Sequence, residues 1–314
     1  MGVVADMADE ILVMKDGITV EKGTADQIFN NPRHPYTQQL LGAVPMLGSS
    51  QKRALPYRED AKPAPVLSLT NVTIEYPKRG RQPAFTAVKN FNLEIYPGEL
   101  VGLVGESGSG KTTVGRAAIG LLPVKEGSIQ VVGNEIAGAT QKQLFSIRHH
   151  TGIVFQDPDD QLFMPTVGQD VAFGPYNMGL RDAELAKVVD DSLALVGMLD
   201  YKDRPPHHLS FGQRRRVAVA TVLAMKPEIL VLDEPSSNLD PASRRELATI
   251  LKSLDITIFM VTHDLPYALE LCERSVVLSG GLIAEDSPTR ALLADGEKLA
   301  KYRLELPAGF TVSA

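Results

Sequence analysis

A glycine-rich run with one lysine and two threonines lies in the first half of the chain. It reads GESGSGKTT at residues 105–113 and fits the pattern G-x-x-x-x-G-K-[ST]. Glycines at these positions let backbone N–H groups point at phosphate oxygens, and the following helix N-terminus favours anions. Lys111 would then reach the β- and γ-phosphates, and the hydroxyl of Thr112 would be a ligand of Mg²⁺. An ordinary glycine–serine turn does not require all of these positions, so the run predicts a phosphate-binding loop.

Two adjacent carboxylates follow an apolar run further along the chain. This run reads ILVLDEP at residues 229–235 and ends in Asp233 and Glu234. One carboxylate at a sheet edge can hold the Mg²⁺ shell, and the other can polarise a water molecule for attack on the γ-phosphate. Because many strands end in aspartate, the pair is a weak signal by itself. Behind a phosphate-binding loop in the same domain, it predicts hydrolysis at the terminal phosphate.

The elements that must position these residues alternate between strands and helices. The almost wholly apolar runs at 99–105 and 228–234 suit central strands that are buried on both faces. The stretches 182–198 and 212–226 have the apolar spacing of helices. From Val66 onward, this alternation indicates an α/β domain with a largely parallel sheet.

Two shorter zones precede that domain. The first zone begins within a predicted helix and continues with the pattern strand–turn–strand–helix, with an apolar strand from Ile11 to Met14 and a turn at Asp16–Gly17. The second zone is polar and proline-rich without periodicity, which predicts a linker. We therefore divide the chain into an N-terminal piece (1–46), a linker (47–65), a main domain (66–295) and a C-terminal tail (296–314).

The composition is that of a globular protein of a reducing environment. Hydrophobic residues make up 44% and charged residues 22% of the chain, and the formal net charge of −6 argues against a dedicated nucleic-acid-binding protein. Cys272 is the only cysteine, which excludes a disulfide framework. No apolar run approaches the roughly 18 residues needed to span a bilayer, and we expect no secretory signal.

Three further motifs accompany the phosphate-binding loop and the carboxylate pair. They are LSFGQRRR at 209–216, SNLDP at 237–241 and VTHD at 261–264. In this order the motifs resemble those of the ATP-binding cassette (ABC) ATPases, and the resemblance covers residues 66–295. It implies an α/β P-loop NTPase cassette with a mixed, mainly parallel core sheet, an antiparallel β subdomain and a helical signature subdomain. It also implies ATP hydrolysis with Mg²⁺.

The resemblance assigns roles to single residues. In this family the LSGGQ-type signature opens a helix whose N-terminus caps the γ-phosphate of ATP held by the opposite subunit, and Ser210 and Gly212 match those contacts. Asp240 would lie on the dimer seam, and His263 would contact the γ-phosphate. Gln156 in VFQDP resembles the glutamine that joins Mg²⁺ and the attacking water to the membrane partner.

An aromatic residue completes the implied site. Tyr76 in IEYP resembles the aromatic residue that stacks on adenine, with Phe85 as the alternative. The implied catalytic residues are Glu234, His263 and Gln156, and the implied Mg²⁺ ligands are Thr112, Gln156 and Asp233. The residues implied to bind the nucleotide are Tyr76, Gly105, Ser107, Gly108, Ser109, Gly110, Lys111, Thr112, Thr113, Ser210, Gly212, Gln213 and Asp240.

The histidines outside these motifs form no recognisable pattern. We interpret them as surface or packing residues, with a metal role as the alternative. They are His149, His150, His207 and His208.

The second half of the chain resembles one branch of the family. Phe211 stands where the signature has its first glycine, and the same substitution occurs in the energy-coupling ATPases of cobalt/nickel and vitamin importers. Residues 156–307 resemble that branch through longer stretches, which lie at 156–180, 235–247, 272–286 and 304–307.

The first half resembles a different branch. Residues 1–45 and 100–130 are similar to the ATPases of oligopeptide or glutathione importers, and the change falls near TGIVFQDP. In these transporters the membrane subunit docks beside the glutamine loop and the helical segment after it. Since that surface lies in the second half, we expect a metal or vitamin importer as the partner, with a peptide importer as the alternative.

The N-terminal piece matches a later segment of the same chain. Residues 1–31 align without a gap on residues 265–295, at a constant offset of 265 − 1 = 264. The later copy begins two residues after His263, so the N-terminal piece is interpreted as the tail of a preceding cassette. An unrelated N-terminal extension is the alternative. The identical pairs are Val13/Val277, Gly17/Gly281 and Glu21/Glu285.

The resemblance also implies partners. We expect a second ATPase subunit, identical or related, and integral-membrane transporter subunits, but no nucleic acid. The expected place is the cytoplasmic face of a bacterial cell membrane, as a peripheral protein. A non-transport cassette ATPase is the alternative from another class, although one cysteine, one cassette and no sustained heptads argue against it. A truncated, inactive product is the third possibility.

Overall fold

The computed structural model describes residues 10–15, 17–41, 62–78, 80, 83–307, 310 and 312. The expected helix at the very start of the chain, Asp16 of the predicted turn and most of the predicted linker lie outside this part. Residues 62–65 of the linker have no regular secondary structure.

The strands of the described part are named here in chain order. They are β1 (Glu10–Lys15), β2 (Ile18–Thr24), β3 (Leu67–Tyr76), β4 (Phe85–Ile95), β5 (Leu100–Val104), β6 (Glu126–Val131), β7 (Asn134–Glu135), β8 (Thr151–Val154), β9 (Ile229–Asp233), β10 (Thr257–Thr262), β11 (Arg274–Ser279) and β12 (Leu282–Pro288).

The α-helices of the described part are named in the same way. They are α1 (Ala25–Asn30), α2 (Pro35–Leu41), α3 (Lys111–Ala118), α4 (Gln141–His150), α5 (Val167–Asn177), α6 (Asp182–Leu195), α7 (Phe211–Leu223), α8 (Pro241–Ser253), α9 (Leu265–Leu271), α10 (Thr289–Ala294) and α11 (Gly296–Lys301). Short 3₁₀ turns cover Pro158–Asp160, Leu199–Tyr201 and Pro206–His208.

A six-stranded sheet forms the centre of the main domain. Its order is β12-β11-β5-β10-β9-β8, and all neighbours are parallel except β12, which runs antiparallel to β11. Val101 and Leu103 of β5 face one core, which the antiparallel sheet and α3 cover. Leu100 and Val104 face a second core, which α5 to α9 cover. Because both faces are covered, the central strands are apolar on both sides.

Two further structural units flank this sheet. The antiparallel sheet has the order β4-β3-β6-β7 and contacts the central sheet where Lys89 N donates to Gly281 O at 2.9 Å. The helical segment α5 to α7 lies between β8 and β9 in the chain. The predicted fold class is therefore confirmed. The predicted central strands and helices are all present, with ends that differ by no more than three residues.

The N-terminal piece is a small hairpin followed by two short helices. Strands β1 and β2 pair antiparallel, with a bulge between Val13 and Met14. The carboxylate of Glu21 accepts hydrogen bonds from the backbone N–H groups of Arg33 at 2.7 Å and His34 at 3.0 Å. These bonds tie the segment after α1 back to β2, and Ile28 of α1 is buried at 3% exposure.

Candidate nucleotide site

Several of the predicted site residues lie at the carboxyl ends of neighbouring parallel strands. The loop 105–110 follows β5, Asp233 and Glu234 lie at the end of β9, and His263 follows β10. In the sheet, β10 lies between β5 and β9. Parallel strands present their carboxyl ends at one edge, which is where open α/β sheets bind ligands.

The loop 105–110 has a shape that requires glycine. Gly108 and Gly110 have φ angles of +80° and +105°, a region that side chains disfavour. A Cβ atom on Gly105 would lie 2.3 Å from the carbonyl oxygen of Leu278, so no side chain fits there. Gly110 is the N-cap of α3 and supplies no side-chain cap, which leaves the helix N-terminus for an anion.

Lys111 lies inside this loop. Its ammonium donates hydrogen bonds to the carbonyl oxygens of Gly105 and Glu106, both at 2.8 Å, and the residue is only 6% exposed. Burial lowers the pKa of Lys111, while the negative charges of Glu234 and Asp233 act in the opposite direction. The cation therefore sits between the loop carbonyls and the carboxylate pair, where a phosphate group would meet it.

Thr112 and Asp233 are directly joined. The Thr112 hydroxyl donates to Oδ1 of Asp233 at 2.9 Å, and Asp233 is 2% exposed. Among the residues that the structure describes, Oδ2 of Asp233 and the hydroxyl of Ser109 are buried without a hydrogen-bond partner. Burial raises the pKa of Asp233, and the Thr112 bond opposes this. Such an orphaned carboxylate oxygen beside a hydroxyl fits Mg²⁺, which prefers oxygen ligands.

Glu234 and His263 form the next contact. Glu234 has a left-handed φ of +50°, and its N–H donates to the carbonyl of Val261 at 2.8 Å. Its Oε2 accepts hydrogen bonds from the Thr262 hydroxyl at 3.1 Å and the His263 N–H at 3.2 Å, and it lies 2.9 Å from His263 Nδ1. The Glu234 side chain is 9% exposed, but that of His263 is 58% exposed. The pair thus joins a buried carboxylate to a histidine that can reach a ligand.

Tyr76 lies beside the first turn of α3. Its hydroxyl shares a hydrogen bond of 3.1 Å with the hydroxyl of Thr113, and the residue is 41% exposed. Phe85, the alternative aromatic residue, is directly opposite Tyr76 in the β3–β4 register and is 61% exposed. Both residues are exposed, and the hydroxyl contact joins Tyr76 to α3 directly after the phosphate-binding loop.

The signature residues form a second group around the start of α7. Ser210 caps this helix by accepting from Gln213 N at 3.3 Å, and Gln213 Oε1 accepts from Ser210 N at 2.9 Å. A Cβ atom on Gly212 would lie 2.4 Å from the Ser243 hydroxyl oxygen, which donates to Asp240 at 2.6 Å. Hydrogen bonds among the described residues do not join Ser210, Gly212 or Gln213 directly to the phosphate loop.

Gln156 is exposed, and its backbone is held by a residue that we did not predict. Arg215 of α7 is fully buried and donates to the carbonyl oxygens of Phe155, at 2.6 Å, and Gln156. Burial lowers the pKa of Arg215, and the negative charge of Asp157 opposes the shift. A signal was present in the sequence, because Arg215 shares the apolar face of the helix with Ala218 at the i+3 position.

Gln161 strengthens the same connection. Its side chain accepts from Phe155 N at 3.2 Å and donates to the carbonyl of Ala218 at 2.8 Å and the hydroxyl of Thr221 at 2.7 Å. We call Arg215 and Gln161 the loop clamp. It joins the segment around Gln156 to the helix that begins with the signature.

The remaining histidines make local contacts. His150 Nδ1 lies 2.7 Å from the Glu228 carboxylate, and the His149 ring packs edge-on against Phe145 at 4.7 Å. His207 and His208 contact each other, with ring centroids 4.4 Å apart. Within the described ranges, groups of three or more His, Cys, Asp and Glu residues that could hold a metal ion are absent.

This fold and this site define a P-loop nucleoside triphosphatase. The family model described as ABC transporter matches residues 88–237, and the model described as Oligopeptide/dipeptide transporter, C-terminal region, matches residues 20–68. The chain is 58% identical over 244 residues to a putative ABC transporter ATP-binding protein of Streptomyces coelicolor, with 78% of this chain and 91% of that protein covered. The chain therefore belongs to the ABC transporter ATP-binding proteins.

Two more comparisons concern the energy-coupling branch. The chain is 41% identical over 246 residues to the energy-coupling factor transporter ATP-binding protein EcfA of Methanothermobacter thermautotrophicus, and the match covers 77% of each chain. The structure of cbiO1 from Clostridium perfringens, described as part of the ABC transporter complex cbiONQ, superimposes with a TM-score of 0.67. It is 36% identical and covers 78% of this chain and 97% of its own. Both resemblances noted in the sequence are confirmed.

Membership in this family fixes the general activity. The protein is an ATP-binding, ATP-hydrolysing subunit of an ABC transporter. ATPases of this family dimerise and work with membrane subunits. Helices long and apolar enough to cross a bilayer are not found in the described part of the chain.

Proposed function

We propose that this chain energises an importer for cobalt/nickel or for a vitamin. The observation that carries the proposal is a cluster of exposed aromatic residues just after the glutamine loop. The rings of Phe163 and Phe173 pack edge-to-face with centroids 5.0 Å apart, although the residues are 64% and 47% exposed. Tyr176, one turn further along α5, is 51% exposed. Grouped exposed aromatic residues mark a protein interaction surface.

A buried carboxylate holds the backbone of this aromatic cluster in place by hydrogen bonds. Oδ1 of the buried Asp170 accepts hydrogen bonds from the N–H groups of Phe163 and Met164, both at 3.0 Å. The loop clamp holds the segment that precedes the cluster, because Gln161 contacts Phe155 and Arg215 contacts Gln156. A membrane subunit bound at the cluster would therefore be coupled to the residue next to the nucleotide.

The position of the cluster favours the metal or vitamin class. It lies within 156–180, the longest stretch that resembles the energy-coupling branch. The relative EcfA and the structural neighbour cbiO1 carry names of that branch. Partner choice follows the docking surface, whereas the phosphate loop only binds nucleotide.

We assign the hydrolysis to the residues at the ends of β5, β9 and β10. Gly105 and residues 107–113 would bind the phosphates, and Thr112, Asp233 and Gln156 would hold Mg²⁺, which would neutralise charge on the phosphate oxygens. Glu234 polarises the attacking water. These roles fit the orphaned Asp233 oxygen and the buried Glu234 carboxylate.

Three further groups complete the proposed site. His263 contacts the γ-phosphate, and Tyr76 stacks on the adenine ring. The third group comes from the second ATPase subunit, identical or related, which would contribute its Ser210, Gly212, Gln213 and Asp240.

The proposed organisation places a cassette at 66–295, after a linker at 47–65. The N-terminal piece at 1–46 and the tail at 296–314 lie outside the catalytic unit. With integral-membrane partners, the complex would sit on the cytoplasmic face of a bacterial membrane.

A peptide importer is the second candidate function. The observation that favours it is the match of residues 20–68 to the C-terminal region of oligopeptide/dipeptide transporters. That match lies in the N-terminal piece and the linker, and not in the aromatic cluster. The match therefore bears on the origin of the N-terminal piece more than on the membrane subunit that binds the cassette.

The experiment that tests the proposal compares two kinds of membrane subunits in lipid nanodiscs. We expect ATPase stimulation with the membrane subunits of a cobalt- or vitamin-type energy-coupling transporter, and none with those of an oligopeptide importer. Phe173→Asp is expected to abolish the stimulation, because it places a charge in the docking surface. Phe145→Asp is the matched control, since Phe145 is 52% exposed on α4 and outside the cluster. Stimulation by peptide-type subunits alone would establish the second candidate instead.

A further inference from the structure

The C-terminal tail packs against the cassette, although it follows the proposed catalytic unit in the chain. Leu299 and Leu304 are 2% and 6% exposed, and the Tyr302 hydroxyl donates to the carbonyl oxygen of Ala284 at 3.1 Å. Leu306 packs against the core that α5 to α9 cover. The backbone between Tyr302 and Leu304 is therefore anchored on both sides.

Arg303 occupies a position that favours glycine. It follows α11 with a left-handed φ of +54°. Its N–H donates to the carbonyl oxygen of Ala300 at 3.0 Å, and the N–H of Leu304 donates to that of Leu299 at 2.9 Å. This pair of hydrogen bonds is the Schellman motif, in which glycine usually holds the left-handed position because it has no Cβ atom. A contribution of the arginine therefore has to come from its side chain.

The side chain of Arg303 contacts the phosphate-binding loop. Its Nη1 lies 3.6 Å from Oε2 of Glu106, and the two side chains are 82% and 34% exposed. Glu106 lies between Gly105 and Ser107 of the loop. An ion pair this exposed contributes little to the free energy of unfolding, because water and salt screen it. Stability therefore does not account for the arginine.

Glu106 places a negative charge in a loop that we assign to phosphate binding. Its backbone carbonyl oxygen accepts a hydrogen bond from the ammonium of Lys111 at 2.8 Å. Burial lowers the pKa of Lys111, and the Glu106 carboxylate is among the charges that oppose this shift. The same ammonium would meet the phosphates. Because like charges repel, an unpaired Glu106 carboxylate would weaken the binding of a triphosphate.

We propose that Arg303 is a positioning residue for the nucleotide, which pairs with Glu106 and offsets the repulsion between this carboxylate and the phosphates. The inference rests on the proposed phosphate-binding role of Gly105 and residues 107–113. By this proposal, Arg303 acts through Glu106 and does not contact the phosphates itself. It gives the C-terminal tail a part in ATP binding.

Removal of the charge at position 303 tests the proposal in the full chain. In Arg303→Met we expect the Kd for MgATP to rise by about 2- to 5-fold at an ionic strength below ~0.1 M, because the Glu106 charge is then unopposed. The rise should shrink in about 1 M salt, where the Debye length falls from about 10 Å to about 3 Å. Arg303→Lys should keep most of the affinity, since a cation remains. Isothermal titration measures each Kd.

A double-mutant cycle tests whether the arginine acts through the carboxylate. In a Glu106→Gln background, Arg303→Met should leave the Kd unchanged, because no repulsion remains to be offset. An equal rise of the Kd in both backgrounds would overturn the proposal. Lys301→Met is the matched control, since it removes the same charge from the same tail. The Lys301 ammonium lies 5.6 Å from the centre of the Tyr302 ring, and its loss should leave the Kd unchanged.

Arg303→Gly separates this role from a structural one. Because glycine suits the left-handed position, we expect the Tm to fall by no more than about 2 °C while the Kd rises as in Arg303→Met. Thermal unfolding and titration of the same sample measure both quantities. A lower Tm with an unchanged Kd would show that the arginine is structural and would overturn the proposal.

The variant Lys111→Ala distinguishes a failure of this inference from a failure of the assigned loop. If Lys111→Ala loses ATP affinity while the Arg303 variants keep it, the loop stands and the inference about Arg303 is wrong. If Lys111→Ala retains its ATP affinity, the loop assignment is wrong and the inference falls with it.

Discussion

Glu234 has a left-handed backbone conformation, and its carboxylate is held by hydrogen bonds from Thr262 and His263. A non-glycine residue in that conformation is strained by on the order of 1 kcal/mol. Hydrogen bonds to Val261, Thr262 and His263 hold it in place. This backbone conformation places the carboxylate beside Thr262 and His263 at the end of β10, where the proposed water-activating group is required.

Replacing that carboxylate by an amide tests the assignment. In Glu234→Gln we expect ATP binding to be retained and kcat to fall by roughly 100- to 10,000-fold, because the general base is lost while the shape is kept. Steady-state ATPase assays and equilibrium nucleotide binding measure the two quantities. Near-normal turnover would remove Glu234 from its role.

Lys111 is expected to contribute to the binding of ATP and not only to its hydrolysis. In Lys111→Ala, ATP affinity should fall by at least about 10-fold, because a buried charged hydrogen-bond donor is lost from the loop. Isothermal titration with ATP measures the change. Lys125→Ala is the control, since Lys125 pairs with Glu75 at 2.6 Å outside the site and should leave affinity unchanged. Unaltered affinity in the Lys111 variant would contradict the assigned phosphate loop.

The loop clamp joins two elements to which we assign different nucleotide sites. In the proposed site, the segment around Gln156 would face the nucleotide of its own chain, and α7 would carry the signature for the nucleotide of the second subunit. Arg215 is fully buried and donates hydrogen bonds to two backbone carbonyls of that segment. We therefore expect the two elements to move together.

The loop clamp predicts that a substitution of Arg215 lowers the ATPase activity while the free energy of unfolding changes little. In Arg215→Met we expect kcat to fall by about 10-fold with little change in the KM for ATP, because the glutamine loop loses its support. The free energy of unfolding in urea should change little, since removing a buried charge offsets the lost hydrogen bonds.

Two further variants make this prediction decisive. Arg215→Lys should recover part of the turnover, because a cation can still reach one carbonyl. Arg245→Met, an exposed change on α8, should behave like the unmodified protein. If Arg215→Met lost stability and ATP affinity together, the residue would be structural only.

How far the sequence predicts this molecule depends on what each feature requires. The phosphate loop and the Asp233–Glu234 pair are local patterns at strand ends, and the parallel sheet brings them together. The role of Arg215 requires two segments that are distant in the chain, so its place on the apolar face of the helix indicates burial but does not reveal the carbonyls of Phe155 and Gln156 that it binds. The left-handed backbone of Glu234 leaves no trace in residue types, because glycine or asparagine usually occupies such positions.

The residues that we propose to be catalytic, Gln156, Glu234 and His263, all follow residue 66. We expect a chain that lacks residues 1–61 to keep kcat and KM for ATP within about 2-fold, because the β1–β2 sheet pairs only with itself among the described strands. ATPase assays on the purified shortened chain measure this. A large loss of activity or solubility would show that the N-terminal piece supports the cassette.

Cys272 reports on the integrity of the entire central sheet. It is 4% exposed, and burial raises the pKa of its thiol well above the ordinary value. We expect no reaction with a thiol reagent in the native protein, even as the pH rises past the pKa of a free thiol. Reaction should be complete in denaturant. Rapid native labelling would contradict the packing of Cys272 beside Gly102.

The close approach of Gly212 to Ser243 shows that the two glycine positions of the signature differ in how well they tolerate a side chain. At position 212 an added methyl group would collide with the start of α8, whereas at position 211 a phenyl ring is accommodated as the first residue of the helix. The geometry thus makes one of the two glycines obligatory and leaves the other free to diverge. Searches that demand both glycines would pass over cassettes of this kind, and the motif is better written with a single fixed glycine.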